Sequence, residues 1–344
     1  MRFVVVLLCL TAGCKLVYDA QYDDRRAELD AFRDDFLPAT DRVQFFTSAS
    51  KRLYWVSIEK PLDEPLLHSQ LGNTRVDYEF TRAQNNIATN YRLSDQIIVG
   101  CGDFSTAEAY DATASNQLID MIDVNAQECA VDGRNVYLKS SRIISRWQPG
   151  GGAPAQVVDL DAQAIGTDEA SFGALGNLML LEEGGRIWKI DLATGMATWL
   201  ENEPVVSGAV FFDDRGVLYN TSAGVAYSDY GTHASFLLDD KVADGGYTLG
   251  GDDYKEAYRV PDSTEYVIHG DHVIYRGGRG IFAYGLKTTK VVDLLLDDGV
   301  GFDATVVYRH PVVTSDGTLY IQNDNGIGSD DHEIYKLSLD GRLR

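Results

Sequence analysis

Seven short apolar segments recur along the chain at nearly even spacing, and this regularity limits the fold more than any other feature. Each follows a turn and carries an aromatic or large aliphatic residue at its third position. The copies are Arg52-Leu53-Tyr54, Ile97-Ile98-Val99, Asn135-Val136-Tyr137, Leu178-Met179-Leu180, Val217-Leu218-Tyr219, Val273-Ile274-Tyr275 and Thr318-Leu319-Tyr320. From each third residue to the next the spacings are 45, 38, 43, 39, 56 and 45. Several copies follow hairpin turns: Asp132-Gly133, Gly176-Asn177, Gly270-Asp271 and Asp316-Gly317. Downstream of most copies lies another strand-like run, as in Arg142-Ile143-Ile144, Arg186-Ile187-Trp188-Lys189-Ile190-Asp191, Gly280-Ile281-Phe282-Ala283-Tyr284 and Glu333-Ile334-Tyr335-Lys336-Leu337. From about Val43 onward the chain reads as all-β, with Val, Ile, Tyr and Leu runs between Gly, Asp and Asn turns.

A period of about 40–45 residues with four strands per unit is the mark of a β-propeller. A lone four-stranded sheet cannot bury both faces in water. Packing such sheets radially buries both, and closing the ring protects most edges. The expectation is therefore seven four-stranded blades over residues 41–344, with six or eight as the alternatives, and the downstream runs as third strands. The 56-residue interval before the sixth copy has room for an extra element. The last copy is followed by a third strand and no obvious fourth, so the ring would be closed by a strand from near Val43 or from the region upstream of it.

The N-terminus reads as an address. Arg2 precedes the apolar run Phe3 to Leu10, and Thr11-Ala12-Gly13-Cys14 follows. As a helix that run reaches only ~12 Å, far short of a bilayer core of ~30 Å, so it reads as a signal-peptide core with a small-residue cleavage site. Leu10 to Cys14 resembles the lipobox of bacterial lipoproteins, departing at Thr11, where that family prefers Leu. The resemblance implies a signal peptide over 1–13, lipid on Cys14 and, with Lys15 rather than Asp after the Cys, the outer membrane of the cell envelope. The alternative is an ordinary secreted protein cut nearby. Residues 14–40 would then be an anchor and charged spacer, in which Leu29, Phe32 and Phe36 share one face of a short helix ended by Pro38. Cys9 lies in the leader, leaving Cys101 and Cys129 as an even pair for a disulfide in an oxidising compartment such as the periplasm; two buried free thiols are the alternative.

One repeat carries a second resemblance. Ile187-Trp188-Lys189-Ile190-Asp191-Leu192-Ala193-Thr194-Gly195-Met196-Ala197-Thr198-Trp199 is similar to a pyrroloquinoline-quinone-type propeller repeat, with an aliphatic–aromatic strand, an Asp, a Thr-Gly turn and a closing Trp. That family includes quinone dehydrogenases and a cofactor-free outer-membrane-assembly lipoprotein. The match covers one blade, so it bears on fold and not on the cofactor.

Local catalytic motifs are absent: there is no Gly-x-Ser-x-Gly elbow, His-Glu-x-x-His, phosphate loop or dinucleotide fingerprint. His269 and His272 flank the Gly270-Asp271 turn and are expected on the two sides of a hairpin. The chain carries 52 Asp and Glu against 30 Lys and Arg, a net charge of −22, which excludes nucleic-acid backbones and polybasic contact with anionic lipid. Membrane contact would come through the lipid anchor only. Much of the acid falls in three connections that a propeller would gather on one face. Asp239, Asp240, Asp252, Asp253 and Tyr254 precede the sixth copy; Asp297, Asp298 and Asp303 precede the seventh; Asn323, Asp324, Asn325, Asp330 and Asp331 follow it. Asp and Asn side chains with Gly suit a hard cation such as Ca²⁺, although the last segment lacks the EF-hand template. Acidic turns are also what any acidic β protein accumulates. The leading expectation is a lipid-anchored extracytoplasmic propeller that binds a protein or glycan partner through this face. The alternatives are a propeller enzyme, a hydrolase or lyase acting on polysaccharide, and an envelope-assembly factor.

Overall fold

The computed structural model describes residues 42–49, 52–58, 66–71, 74–78, 91–101, 106–113, 117–165, 170–199, 207–212, 215–221, 224–231, 235–236, 266–277, 280–296, 308–323 and 333–343. The leader, Cys14 and the expected helix of the spacer lie outside these residues. Among the described residues every regular element is a strand. They form seven antiparallel sheets, six of four strands and one of three, each built from strands consecutive in the chain.

The first sheet holds β1 (Arg42–Ala49), β2 (Arg52–Ile58), β3 (Leu66–Leu71) and β4 (Thr74–Tyr78). The second holds β5 (Tyr91–Leu93), β6 (Ile97–Gly100), β7 (Thr106–Asp111) and β8 (Leu118–Asp123). The third holds β9 (Glu128–Asp132), β10 (Asn135–Ser140), β11 (Ile143–Trp147) and β12 (Ala155–Asp159). The fourth holds β13 (Ser171–Leu175), β14 (Leu178–Glu183), β15 (Arg186–Asp191) and β16 (Met196–Trp199). The fifth holds β17 (Ser207–Phe212), β18 (Gly216–Thr221), β19 (Gly224–Asp229) and β20 (Ser235–Phe236). The sixth holds β21 (Tyr266–His269), β22 (His272–Gly277), β23 (Gly280–Gly285) and β24 (Val291–Leu296), and the seventh β25 (Tyr308–Val313), β26 (Thr318–Asn323) and β27 (Glu333–Ser338). The seven recurring segments are the second strands, and the downstream runs are third strands. Val43 lies in β1, which pairs with β2, so the strand near Val43 does not complete the last sheet.

Consecutive sheets pack face to face through apolar seams. Ile97, Val99, Ala107, Val136, Leu138 and Trp147 join the second sheet to the third. Tyr137, Ile144, Phe172, Met179, Leu181 and Ile190 join the third to the fourth. Leu180, Val217 and Tyr219 belong to the next seam, Leu218, Val273, Tyr275 and Phe282 to the one after, and Ile274, Leu319, Ile321 and Leu337 to the last. The second strands of the third to sixth sheets therefore each feed two seams, odd and even positions to opposite sides, as the two-residue period of a strand dictates. The copies do not all point the same way. The third residue faces the following sheet at Val99, Tyr137 and Leu180, yet the preceding sheet at Tyr219 and Tyr275. A strand buried on both faces is apolar at every position, so its pattern alone cannot register a one-residue offset.

First strands also neighbour one another: β5 lies against β9, β9 against β13, β13 against β17, and β21 against β25. In addition β1, from the first sheet, lies against β25, from the last.

The Asp-x-x-Thr-Gly segment shows why that turn recurs. It links β15 to β16. Asp191 Oδ1 accepts from the backbone N–H of Ala193 (2.8 Å) and Thr194 (3.1 Å), and Gly195 takes a left-handed φ of +70° while its N–H bonds Asp191 O at 2.7 Å. The Asp side chain substitutes for a backbone turn and the Gly relieves the Cβ clash. The signature belongs to the hairpin, whatever a protein using it binds.

Candidate functional site

Up-and-down connectivity gives each sheet two unlike ends. At one, the turn end, lie the first-to-second hairpins and the third-to-fourth turns. At the other, the loop end, lie the second-to-third connections and the chain's entry to and exit from the sheet.

The turn end is short and tightly cross-linked. Ser94 Oγ donates to Gly133 O (2.6 Å), joining the first hairpins of the second and third sheets. Gly176 N donates to Asp132 Oδ2 (2.8 Å), joining those of the fourth and third. Arg215 Nη1 donates to Gly270 O (3.1 Å), joining those of the fifth and sixth. His269 and His272 are register partners across the β21–β22 hairpin, as expected. Burial lowers the pKa of His269, the neighbouring Arg215 and His272 lower it further, and Asp316 opposes them. Burial also lowers the pKa of His272, with Asp271 opposing. Both imidazoles are thus biased to the neutral form. Among the described residues no group of three or more His, Cys, Asp or Glu side chains is placed to hold a metal ion.

The loop end is where the three acidic connections depart and return. The first joins β20 to β21, the second β24 to β25, and the third β26 to β27. Asp239, Asp240, Asp252, Asp253, Tyr254, Asp297, Asp298, Asp303, Asp324, Asn325, Asp330 and Asp331 lie outside the described residues, and Asn323 is the last residue of β26. Each connection begins and ends at the loop end of its sheets.

The described part of this end carries charge that the sequence did not single out. Arg92, on β5, reaches the third sheet: its Nη2 meets Glu128 Oε1 at 2.8 Å and its Nε donates to Cys129 O at 2.9 Å. Lys139, 1% exposed, stands opposite Glu128 across the β9–β10 ladder and donates from Nζ to Gln127 Oε1 at 3.1 Å. Burial raises the pKa of Glu128, and Arg92 and Lys139 pull it back only in part. Glu108 is buried at 4% exposure and accepts from Tyr110 Oη at 3.1 Å. At the end of β14, burial raises the pKa of Glu182, which accepts from Gly185 N at 3.1 Å with Glu183 alongside. A signal for the Lys139 cluster was present in Asn135-Val136-Tyr137-Leu138-Lys139: a cation in a strand apolar on both faces must find acceptors inside.

Cys101 and Cys129 are joined by a disulfide, with Cα atoms 6.3 Å apart. Cys101 follows β6 and Cys129 lies in β9, so the bond links the second sheet to the third at the loop end, beside Arg92 and Glu128.

No model of a known protein family matches the chain. No curated protein matches its sequence. Solved structures do resemble it. The extracellular domain of a hybrid two-component system, BT4673 from B. thetaiotaomicron, superposes with a TM-score of 0.53 at 10% identity, covering 89% of this chain and 39% of that one. PorZ, a bacterial surface component of the type-IX secretion system of Porphyromonas gingivalis, superposes with a TM-score of 0.51 at 13% identity, covering 88% and 37%. The chain thus spans well under half of either protein, and at these identities the likeness is one of all-β fold.

Proposed function

We propose that this chain is an extracytoplasmic β-propeller of seven blades, lipid-anchored at Cys14, that binds a protein or glycan partner through its acidic loop end. The observation that carries the reading is the contact of β1 with β25, added to five apolar seams between consecutive sheets. On this reading the stack of twisted sheets closes into a ring, and a ring gathers the loop ends of all its sheets on one face. The three acidic connections then converge there with Glu108, Glu182 and Glu183, and such a face attracts cationic partners and steers their approach. The disulfide fits an oxidising compartment. The two proteins of similar fold, an extracellular domain and a surface component, fit the same side of the membrane.

The test replaces Asp239, Asp240, Asp252 and Asp253 with Asn. Parent and variant are presented to a glycan array and to a lysine-rich peptide at low and physiological ionic strength. Binding that weakens with salt and is lost in the variant supports the reading. Binding of neither probe by the parent, or equal binding by both proteins, refutes it. Anchoring is tested by detergent-phase partition: Cys14→Ala moves the protein to the aqueous phase if lipid on Cys14 holds it.

A further inference from the structure

The imidazoles of His269 and His272 stand where the sixth sheet meets the last seam. Across the β21–β22 hairpin His269 is directly opposite His272, and Val267 is opposite Ile274 further along the same ladder. Side chains two apart on a strand share a face. Val267 and Ile274 pack in the cluster that joins this sheet to the seventh, with Val313, Leu319 and Leu339. The two imidazoles therefore lie on that same face, at the turn end of the seam. A Cβ on Gly317 would be 3.5 Å from His269 Nε2, so this ring rests on the β25–β26 hairpin of the seventh sheet. A Cβ on Gly285 would be 3.5 Å from His272 Nε2, which sets the second ring over β23. Gly317 O in turn accepts from Leu339 N at 2.9 Å, holding the turn that follows β27.

The charged groups around the pair come from three sheets. Arg215 of the fifth donates from Nη1 to Gly270 O at 3.1 Å, in the same hairpin as the imidazoles. Asp271, Lys287 and Lys290 lie on turns of the sixth sheet, Asp316 on the hairpin of the seventh, and Asp340 and Arg342 in the turn after β27. The two carboxylates that act on the imidazoles are already engaged. Asp271 Oδ2 meets Lys287 Nζ at 2.7 Å, and Asp316 Oδ1 accepts from Thr314 Oγ1 at 2.7 Å and from Thr318 N at 3.3 Å. Charge gained by both imidazoles thus accumulates beside Arg215, and like charges directly opposite on two strands repel.

We propose that His269 and His272 form an acid-operated clasp between the sixth and seventh sheets, closed while both imidazoles are neutral and released at the turn end when they are protonated. The direction of both titrations agrees with this geometry: burial, first, holds each group below its ordinary value of 6.5, with Arg215 and His272 adding to the effect on His269. A folded value below the ordinary one means that closure is fully present above 6.5 and is lost as pH falls through the folded values. Release bares the end of an apolar seam, at Ile274, Val313 and Leu319. The inference rests on this seam alone, and neither the ring nor an acidic binding face is needed for it.

The experiment is amide hydrogen exchange at about pH 7.5 and about pH 5, with protection corrected for the intrinsic exchange rate. The parent is compared with His269→Asn combined with His272→Asn. The reporters are the turn-end amides Gly285 N, Gly317 N and Leu339 N, which bond Lys290 O, Thr314 O and Gly317 O. Amides of β14, in the fourth sheet, are the reference. In the parent the reporters are expected to lose about tenfold or more of their protection in acid, with no like loss in β14, and in the double variant to lose less than about twofold. No loss in the parent, an equal loss in β14, or an equal loss in the double variant overturns the inference. Should the double variant fail to fold, His272→Asn alone is measured, because it removes one of the two facing charges. A loss cut to about threefold or less supports the clasp, and a loss equal to that of the parent overturns it.

Discussion

Reducing the Cys101–Cys129 disulfide while leaving both cysteines in place isolates what the covalent link contributes. The bond closes 28 residues of chain. In the chain-entropy treatment a loop of that size is worth about 3.6 kcal/mol at 25 °C. Both side chains pack in the seam between the second and third sheets, so reduction opens no cavity, and the Arg92 bond to Cys129 O is a backbone contact that survives it. The assay is equilibrium urea unfolding with and without a phosphine reductant. It is followed by tryptophan fluorescence, to which Trp147, wholly buried in the same seam, contributes. With a urea slope of about 2–3 kcal/mol/M, the midpoint should fall by about 1–2 M. Cys101→Ala combined with Cys129→Ala should fall further, because two buried sulfurs are then lost as well. A midpoint that moves by less than about 0.3 M on reduction would refute the reasoning, since the second and third sheets would then be held together by packing alone.

Four further outcomes are expected. Gly216→Ala should lower stability by about 2 kcal/mol or more, read as a fall in Tm, because a Cβ there runs into the carbonyl of Ser228 on the paired strand β19. The lowered pKa of His269 means that the fold favours neutral imidazole, so its contribution is present above the ordinary value of 6.5 and lost as pH falls through the folded value. His269→Asn should flatten the stability profile in that acid window, and an unchanged profile removes the claim. Glu128 is the opposite case: its raised pKa makes the folded state favour the protonated form, and stability declines as pH rises from 4.5 through the folded value. Glu128→Gln should then hold or gain stability at pH 7; a loss of more than about 1 kcal/mol would show that Arg92 and Lys139 outweigh burial. If the segment Asn323 to Asp331 takes Ca²⁺, millimolar Ca²⁺ raises the Tm and EDTA reverses it, whereas an unchanged Tm removes calcium.

Much of the strand order was legible because its signals are local. Hairpin dipeptides such as Asp132-Gly133 and Gly270-Asp271 marked turns, with glycines at φ of +58° and +56° where a Cβ is disfavoured. Two-residue alternation and spacing then separated second strands from third. The offset at Tyr219 and Tyr275 was not legible, because strands buried on both faces give no polar side to count from. Lys139 inside an apolar strand signalled an internal acceptor, but that Arg92 would reach Glu128 opposite it was not legible, because these residues lie on strands of two different sheets.

By itself the sequence determined that this protein is a series of short antiparallel strands with a period near one sheet, closed by Gly and Asp turns. Turn geometry and strand alternation act over a handful of residues, so they are written where they operate. Tertiary structure decided which face of each strand meets which neighbour, that Lys139 finds its acceptors inside, and that β1 returns to β25. These depend on packing between segments far apart in the chain, where apolar residues are interchangeable and only shape and position choose among them.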